Sequence, residues 1–252
     1  MICIDLNADM GERPGAAGAD TDRALLGVVT SANVACGFHA GGPGTMARTA
    51  EWATGRGVHV GAHVGLPDRK NFGRVPLRVS PDDVYAMTLY QIGALDGFLR
   101  RWGQRVAHVK PHGALYHMAE AERTLAEAIA YAAFDARPDL RLFALSGGQL
   151  ARAGRARGLP VWDEVYADRA YLSERALVPR DAPGALIEDP QQVAARITLL
   201  LQSGALPALD GSPLSLRAET VCLHSDHPGA LARAQALRQA LEAVGIGVGR
   251  AP

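Results

Sequence analysis

The amino-acid sequence predicts an α/β fold in which a mainly parallel sheet closes into a barrel. Short apolar runs alternate with amphipathic stretches along the 252 residues, which is typical of consecutive βα units. Several of these runs carry ionisable residues at every second position, so one face of the strand is apolar and the other is not. Strands covered by helices on both faces are apolar throughout. A barrel with helices outside and a polar pocket at the carboxyl ends of its strands accounts for both patterns.

The apolar runs predict seven strands, near residues 2–8, 32–38, 58–63, 106–111, 140–145, 161–166 and 220–224. Three helices are predicted over residues 80–103, 189–204 and 227–245. Each begins with a polar residue followed by proline at the first helical position, and each ends at a glycine. Longer loops are predicted at 11–21, 66–79 and 168–189. A barrel of this length folds as one unit, so we expect a single domain over residues 1–252. The alternative, a solvated antiparallel sheet, suits any one strand but not four strands with ionisable residues at their ends.

The composition excludes several classes of protein. Hydrophobic residues make up 48% and charged residues 21% of the chain, which is not the composition of a disordered protein. The 26 basic and 26 acidic residues balance, so the field that attracts nucleic acid or an anionic membrane is missing, whereas self-association into a homo-oligomer is easy. No apolar segment is long enough to span a membrane, the first residues do not form a signal peptide, and three distant cysteines predict reduced thiols. We therefore expect a cytoplasmic protein.

Ionisable side chains, with one amide among them, end four of the predicted strands. They are Asp5, Asn7 and Asp9 in the first strand, His63 in the third, Lys110 and His112 at the fourth, and His224 at the seventh. The acids can orient water, accept a proton or bind a cation, although acidic strand ends also cap loops. Lys110 is one of two lysines in the chain. We predict that burial beside His112 lowers the pKa of Lys110, so that the lysine acts as a general base or as an electrostatic stabiliser. The alternative is a structural lysine whose aliphatic stem lets the ammonium reach water at the barrel rim.

Three predicted loops add further candidates. His39 lies among glycines that let the backbone approach a ligand closely, or that simply form a turn. Arg74 ends a loop that resembles an anion clamp or a plain surface loop. Asp168 and Arg169 can bind a substrate carboxylate through the arginine, or form a structural ion pair. Asp226 is expected to orient His224.

Motifs for metals and nucleotides are weak or missing. If the barrel binds a divalent metal, the predicted ligands are Asp5, His39, His63 and His224. These four residues are far apart in the sequence and form no recognised metal-binding motif, so the signal for that site is weak. The sequence contains neither GxxxxGK[ST] nor GxGxxG at the start of a helix, and no GxSxG.

Eight segments stand in an order that marks a family resemblance: DLNADMGE, SANVACGFHAG, GAH with PDRKNFGR, HVKPHGALY, EVYADRAY, LVPR, GALIED and TVCLHSD. Over residues 2–248 the chain resembles the LamB/YcsF, or lactam-utilisation, family of bacterial 5-oxoprolinase components. The resemblance implies an irregular seven-stranded, TIM-like (β/α) barrel similar to carbohydrate deacetylases. It also implies ATP-dependent opening of 5-oxo-L-proline to L-glutamate together with two partner subunits, B and C. ATP and its Mg²⁺ are then expected on the partners.

The residues and the resemblance together suggest roles for the site. Asp5 is expected to act as base or water-orienting group, and Lys110 as electrostatic stabiliser. Proton transfer or oxyanion stabilisation is assigned to His39, His63 and His112. Arg169 is expected to bind the substrate carboxylate. Two alternatives use the same pocket: a metal-dependent amidohydrolase or carbohydrate deacetylase that acts alone, and a non-catalytic substrate-binding subunit.

Overall fold

A computed structural model describes residues 3–174, 176–225 and 229–249. Its strands are β1 (Cys3–Met10), β2 (Ser31–Ala35), β3 (His59–Val64), β4 (His108–Pro111), β5 (Arg141–Leu145), β6 (Val161–Tyr166), β7 (Tyr171–Ser173), β8 (Ala176–Leu177), β9 (Ala205–Pro207), β10 (Pro213–Ser215), β11 (Thr220–Leu223) and β12 (Gly247–Val248). Strands β1 to β6 and β11 form a parallel sheet in that order, and β11 pairs back onto β1. The predicted seven-stranded barrel is therefore confirmed.

The helices lie between the strands along the chain. They are α1 (Gly15–Leu25), α2 (Pro43–Thr54), α3 (Pro81–Leu99), α4 (Gly113–Ala121), α5 (Arg123–Ala136), α6 (Gln149–Arg157), α7 (Pro190–Ser203) and α8 (Ala230–Ala243). The start of α3 is as predicted, because the Ser80 side chain accepts a hydrogen bond from the Asp83 amide and the Asp83 carboxylate accepts one from the Ser80 amide. Asp189 caps α7 through a single bond, because its side chain accepts a hydrogen bond from the amide of Gln191. The predicted opening of the last helix at 227 and 228 lies outside the described residues.

Two predictions about loops were wrong in detail. The segment 11–21 is not a loop throughout, because α1 begins at Gly15. The segment 168–189 contains the antiparallel pair β7 and β8. The second strand also ends at Ala35 rather than at Phe38, whose ring packs on Tyr90 with centroids 5.5 Å apart.

The two faces of the barrel strands differ as the alternation predicts. Outward residues such as Ile4, Leu6 and Ala8 are at most 1% exposed and belong to the main hydrophobic core. Their inward neighbours are equally buried but polar, and they bond to one another across the barrel. The side-chain amide of Asn33, for example, donates to Asn7 at 2.7 Å and to Asp9 at 2.8 Å. Buried polar groups need such partners, so the interior is a connected network.

Among the described residues, no helix is both long and apolar enough to cross a membrane.

Candidate active site

A cavity of about 400 Å³ opens at the carboxyl ends of the barrel strands, within the size range of small-molecule sites. Its lining comprises Asp9, Glu12, His63, Arg74, Lys110, Pro111, His112, Gly113, Ala114, Tyr116, His117, Tyr166, Arg169, Leu177, Val178, Pro179, Arg180 and His224. The structure thus brings seven of the predicted site residues to one cavity: Asp9, His63, Arg74, Lys110, His112, Arg169 and His224. Acids and imidazoles come from the strand ends, and the two arginines 169 and 180 come from the segment after β6.

Lys110 forms the floor of this cavity and is 1% exposed. Its ammonium lies 2.9 Å from Glu164 Oε1 and 3.2 Å from Asp9 Oδ1, and it donates to Cys222 Sγ at 2.9 Å. Burial alone would lower the pKa of Lys110, but Asp9, Cys222 and Glu164 raise it well above its usual value. The predicted lowered pKa is therefore wrong, because the prediction weighed burial and His112 but not the contacts of the ammonium with Asp9, Cys222 and Glu164.

Asp9 connects Lys110 to a group of imidazoles. One carboxylate oxygen faces the ammonium and the Asn33 amide, and the other lies 3.4 Å from His63 Nε2. Burial favours a raised pKa for Asp9, yet His63 and Lys110 lower it well below its usual value. Asp9 is therefore an ionised acceptor at neutral pH.

Four side chains converge beside Asp9 and could hold a metal ion: Glu12, His39, His63 and His112. Glu12 Oε1 lies 3.0 Å from His39 Nε2, 3.5 Å from His63 Nε2 and 3.2 Å from His112 Nδ1. Burial lowers the pKa of His39 to about 3 despite its hydrogen bond to Glu12. Of the predicted ligands, His39 and His63 belong to this group; His224 belongs to a second group, with Asp9 and Cys222, and Asp5 belongs to neither.

Glycines let the loop after β3 approach these imidazoles. A Cβ atom on Gly65 would lie 2.4 Å from His39 Nδ1, and one on Gly73 would lie 2.6 Å from His39 Cβ. A side chain on Gly65 would require the ring of His39 to move, and one on Gly73 would require His39 or the loop backbone to move. The preceding residue, Phe72, has a positive φ of 57° and accepts a hydrogen bond from His112 Nε2 at 2.8 Å through its carbonyl oxygen. The loop conformation and the imidazole positions therefore depend on each other.

His224 lies on another side of the cavity and is oriented by Asp168. Its Nδ1 donates to Asp168 Oδ1 at 2.8 Å, which leaves Nε2 as the other ring nitrogen for chemistry. Burial would raise the pKa of Asp168, but the contact with His224 lowers it. The expected orienting residue, Asp226, lies outside the described residues. Asp168 contacts the histidine on the side away from the cavity and does not line the cavity itself.

Arginines cover the side of the cavity formed by the segment after β6. Arg169 is 5% exposed and donates to the Val178 carbonyl oxygen at 2.6 Å. Burial and the neighbouring Arg180 lower the pKa of Arg169. Two neighbouring guanidiniums in a cavity wall attract an anion, since an anion relieves their mutual repulsion. Arg74 lies over the ring of Phe72 at the same cavity, 4.9 Å from the ring centroid.

Two predicted site residues lie deeper in the barrel. Asp5 accepts hydrogen bonds from the hydroxyls of Thr30 at 2.7 Å, Ser31 at 2.6 Å and Thr220 at 2.6 Å. Asn7 lies beneath Lys110, which donates to its side-chain oxygen at 3.2 Å. Neither residue lines the cavity.

Sequence reasoning missed six ionisable residues that border the cavity or its floor: Glu12, Tyr116, His117, Glu164, Tyr166 and Arg180. The signal for two of them was available. In β6, alternation puts Glu164 and Tyr166 on one face and Asp163 on the other, and Asp163 indeed pairs with Arg155 at 2.6 Å. Glu12 follows the end of β1 and shares no strand periodicity, so only the folded chain reveals it.

Comparisons with known proteins agree on one family. Residues 4–252 match the model of the LamB/YcsF family. The A component of the 5-oxoprolinase of Bacillus subtilis (strain 168) is 47% identical over 248 residues, which cover 98% of this chain and 96% of that protein.

Solved structures extend the comparison to the fold. The crystal structure of a lactam utilization protein from Thermus thermophilus has a TM-score of 0.93 and 44% identity, covering 99% of this chain and 100% of that one. The catalytic domain of a peptidoglycan N-acetylglucosamine deacetylase from Eubacterium rectale ATCC 33656 has a TM-score of 0.52 at 14% identity, covering 99% and 88%. The second similarity confirms the expected likeness to deacetylase barrels, and it concerns the fold alone.

Proposed function

Because the chain belongs to the LamB/YcsF family, we propose that it is the barrel component of a 5-oxoprolinase, which opens the lactam ring of 5-oxo-L-proline to L-glutamate. Relatives of nearly the same length carry that activity in their names. The observation that carries the proposal for this site is the composition of its cavity. Ionised Asp9 and His224, which Asp168 orients, face one space with the guanidinium of Arg169.

Arg169 and Arg180 are the proposed binding groups for the substrate carboxylate. A planar guanidinium matches a carboxylate with two parallel hydrogen bonds. Both arginines line the cavity, and Arg169 is held in place by its bond to Val178. With the carboxylate on this side, the lactam ring extends toward the acids and imidazoles at the strand ends.

The proposed chemistry is hydrolysis of one amide bond. Asp9 orients a water molecule rather than taking its proton, since its lowered pKa keeps the carboxylate ionised and makes it a weak base. His224 takes a proton from that water as the water oxygen bonds to the lactam carbonyl carbon. The same imidazole then gives the proton to the ring nitrogen as the carbon–nitrogen bond breaks. Asp168 stabilises the imidazolium between these two transfers.

A lactam of this kind needs activation before water can open it. In this proposal ATP transfers its terminal phosphoryl group to the lactam oxygen and leaves as ADP, and a second water molecule releases that group as inorganic phosphate after the ring has opened. ATP and Mg²⁺ are assigned to two partner subunits, B and C, and the barrel receives the activated lactam. Lys110 keeps Asp9 ionised and in position rather than exchanging protons itself.

The test is ATP-dependent release of L-glutamate from 5-oxo-L-proline by the purified chain, with and without co-expressed partner subunits. We expect robust turnover only with the partners. Asp9→Asn and His224→Gln in the assembled enzyme should each lower turnover by on the order of 100-fold, the usual contribution of a positioned acid–base group. Arg169→Gln should mainly raise KM.

Three results would contradict the proposal. Robust turnover by the chain alone would assign ATP to the barrel. Amide or ester hydrolysis without ATP would favour a hydrolase that acts alone. Full activity of a folded Asp9→Asn enzyme would favour a non-catalytic binding subunit.

A further inference from the structure

The imidazoles beside Glu12 have a hydrogen-bond arrangement that the proposed reaction does not explain. His63 Nδ1 lies 3.1 Å from the carbonyl oxygen of Lys110, and His112 Nε2 lies 2.8 Å from that of Phe72. A carbonyl oxygen only accepts hydrogen bonds, so both ring nitrogens must carry a proton and donate it. In neutral imidazoles the opposite nitrogens, His63 Nε2 and His112 Nδ1, are then lone-pair acceptors.

Those two acceptors face each other. His63 Nε2 and His112 Nδ1 are 3.0 Å apart, and Glu12 Oε1 lies 3.5 Å and 3.2 Å from them. Asp9 Oδ2 lies 3.4 Å from the same nitrogen of His63. Acceptors this close and this deeply buried repel one another unless a cation lies among them.

The balance of buried charges around the imidazoles also indicates a bound cation. Among the described residues, ion pairs join Lys110 to two buried carboxylates, Asp9 and Glu164. Within that part of the chain, the ion-pair partners of Glu12 are imidazoles only. The three carboxylates therefore share one permanently charged partner, and two negative charges remain around the imidazoles. A divalent cation balances them.

The distances also fit a metal ion. Zinc bound to nitrogen and oxygen at about 2.0–2.1 Å in a tetrahedral site has ligand atoms about 3.4 Å apart. The separations among Glu12 Oε1, His63 Nε2 and His112 Nδ1 are 3.0, 3.2 and 3.5 Å. Two imidazoles with one carboxylate suit zinc and neighbouring transition metals better than Mg²⁺ or Ca²⁺, which prefer oxygen.

We propose that Glu12, His63 and His112 form a binding site for one divalent transition metal ion, with Zn²⁺ as the best match. All three line the cavity, so the remaining coordination position faces it. His39 is a positioning residue: its Nδ1 has no partner among the described residues, so its proton is placed on Nε2, which donates to Glu12 at 3.0 Å. A metal here supplies a Lewis acid for a carbonyl oxygen. The site itself does not depend on the proposed reaction.

Direct metal binding tests the site without any activity assay. The full chain is stripped with a chelator, dialysed against Zn²⁺ or Co²⁺ with excess Mg²⁺, and analysed for bound metal per chain. The visible spectrum of the Co²⁺ form reports four- or five-coordination by nitrogen and oxygen. We expect one tightly bound ion per chain and no competition by Mg²⁺.

Variants locate the ion. His63→Ala, His112→Ala and Glu12→Gln should each weaken Zn²⁺ binding by more than about 100-fold, and His39→Ala by about 10- to 100-fold, as is typical of an outer partner. The matched control is His59→Ala, because His59 lies on the same strand as His63 but is exposed. It should bind as wild type does. Glu12→Gln keeps the side-chain shape, so it remains informative if an alanine variant fails to fold.

Two results would overturn the inference. If the stripped wild-type chain binds neither Zn²⁺ nor Co²⁺ more tightly than Mg²⁺, the cation among these acceptors is a proton shared by the two imidazoles. If the metal binds but the three ligand variants retain it, the ion lies elsewhere.

Discussion

Lys110→Met removes the one ammonium at the cavity floor and keeps most of the side-chain volume. Two carboxylates, Glu164 at 2.9 Å and Asp9 at 3.2 Å, then remain buried without their cation. Breaking a buried ion pair from one side costs about 3–5 kcal/mol. A protein of this size loses about 2–4 °C in Tm per kcal/mol, so Tm should fall by about 6–20 °C. Denaturant and thermal unfolding followed by circular dichroism measure both quantities.

The chain offers a matched control for this experiment. Lys70 is the only other lysine and it is exposed, so Lys70→Met should change stability by less than about 0.5 kcal/mol. The double variant Lys110→Met with Glu164→Gln should recover part of the loss, because it removes one of the unpaired charges. If Lys110→Met unfolds within about 1 kcal/mol of wild type, the ammonium is not the counter-ion that this reasoning requires.

Three further predictions follow from other buried groups. Burial raises the pKa of Asp22 from 3.8 to about 6 although it accepts a hydrogen bond from the Gly11 amide. Between these two pKa values the native state binds more protons than the unfolded state, so the free energy of unfolding falls as pH rises, by up to about 3 kcal/mol. This loss should vanish in Asp22→Asn. Urea unfolding from pH 4 to 7 measures it in both proteins. Asp5→Asn should lower the free energy of unfolding by about 1–3 kcal/mol, because an NH₂ donor replaces one of the two carboxylate oxygens that accept from three hydroxyls. A loss of turnover near 100-fold with unchanged Tm would instead support the catalytic role expected from the sequence. Cys222→Ser keeps an acceptor for the buried ammonium of Lys110, so turnover of the assembled enzyme should fall far less than about 100-fold. A severe loss of turnover in a folded variant would require a thiol mechanism.

Strand alternation predicted which face a residue occupies, and this was enough to bring Asp9, His63 and Lys110 to one cavity. Alternation does not give depth along the strand. Asp5 shares its face with Asp9 but lies below the cavity, where hydroxyl groups satisfy it. Depth depends on the stagger between neighbouring strands, and pairings such as Asp5 with Thr220 exist only in the closed barrel.

Other features depend on contacts between distant segments. The pKa of Lys110 rises because the closed barrel brings Asp9 of β1, Cys222 of β11 and Glu164 of β6 against its ammonium. The sequence does not say which strands face one another in this way. Helix α1 was missed because its sequence, GAAGADTDRAL, has few large apolar residues to form a stripe. Its buried positions, Gly18, Asp22 and Leu25, are mostly small or polar.

The pairing of β1 with β11 has a consequence for synthesis of the chain. Asp5 and Thr220, whose side chains bond at this seam, are 215 positions apart. At about 5–20 residues per second, a ribosome needs about 10–40 s to make the intervening chain. During that time β1 has its neighbour β2 on one side and an open strand edge on the other, and open edges recruit other chains. Newly made chains should therefore be most prone to aggregation late in translation, shortly before the last barrel strand emerges.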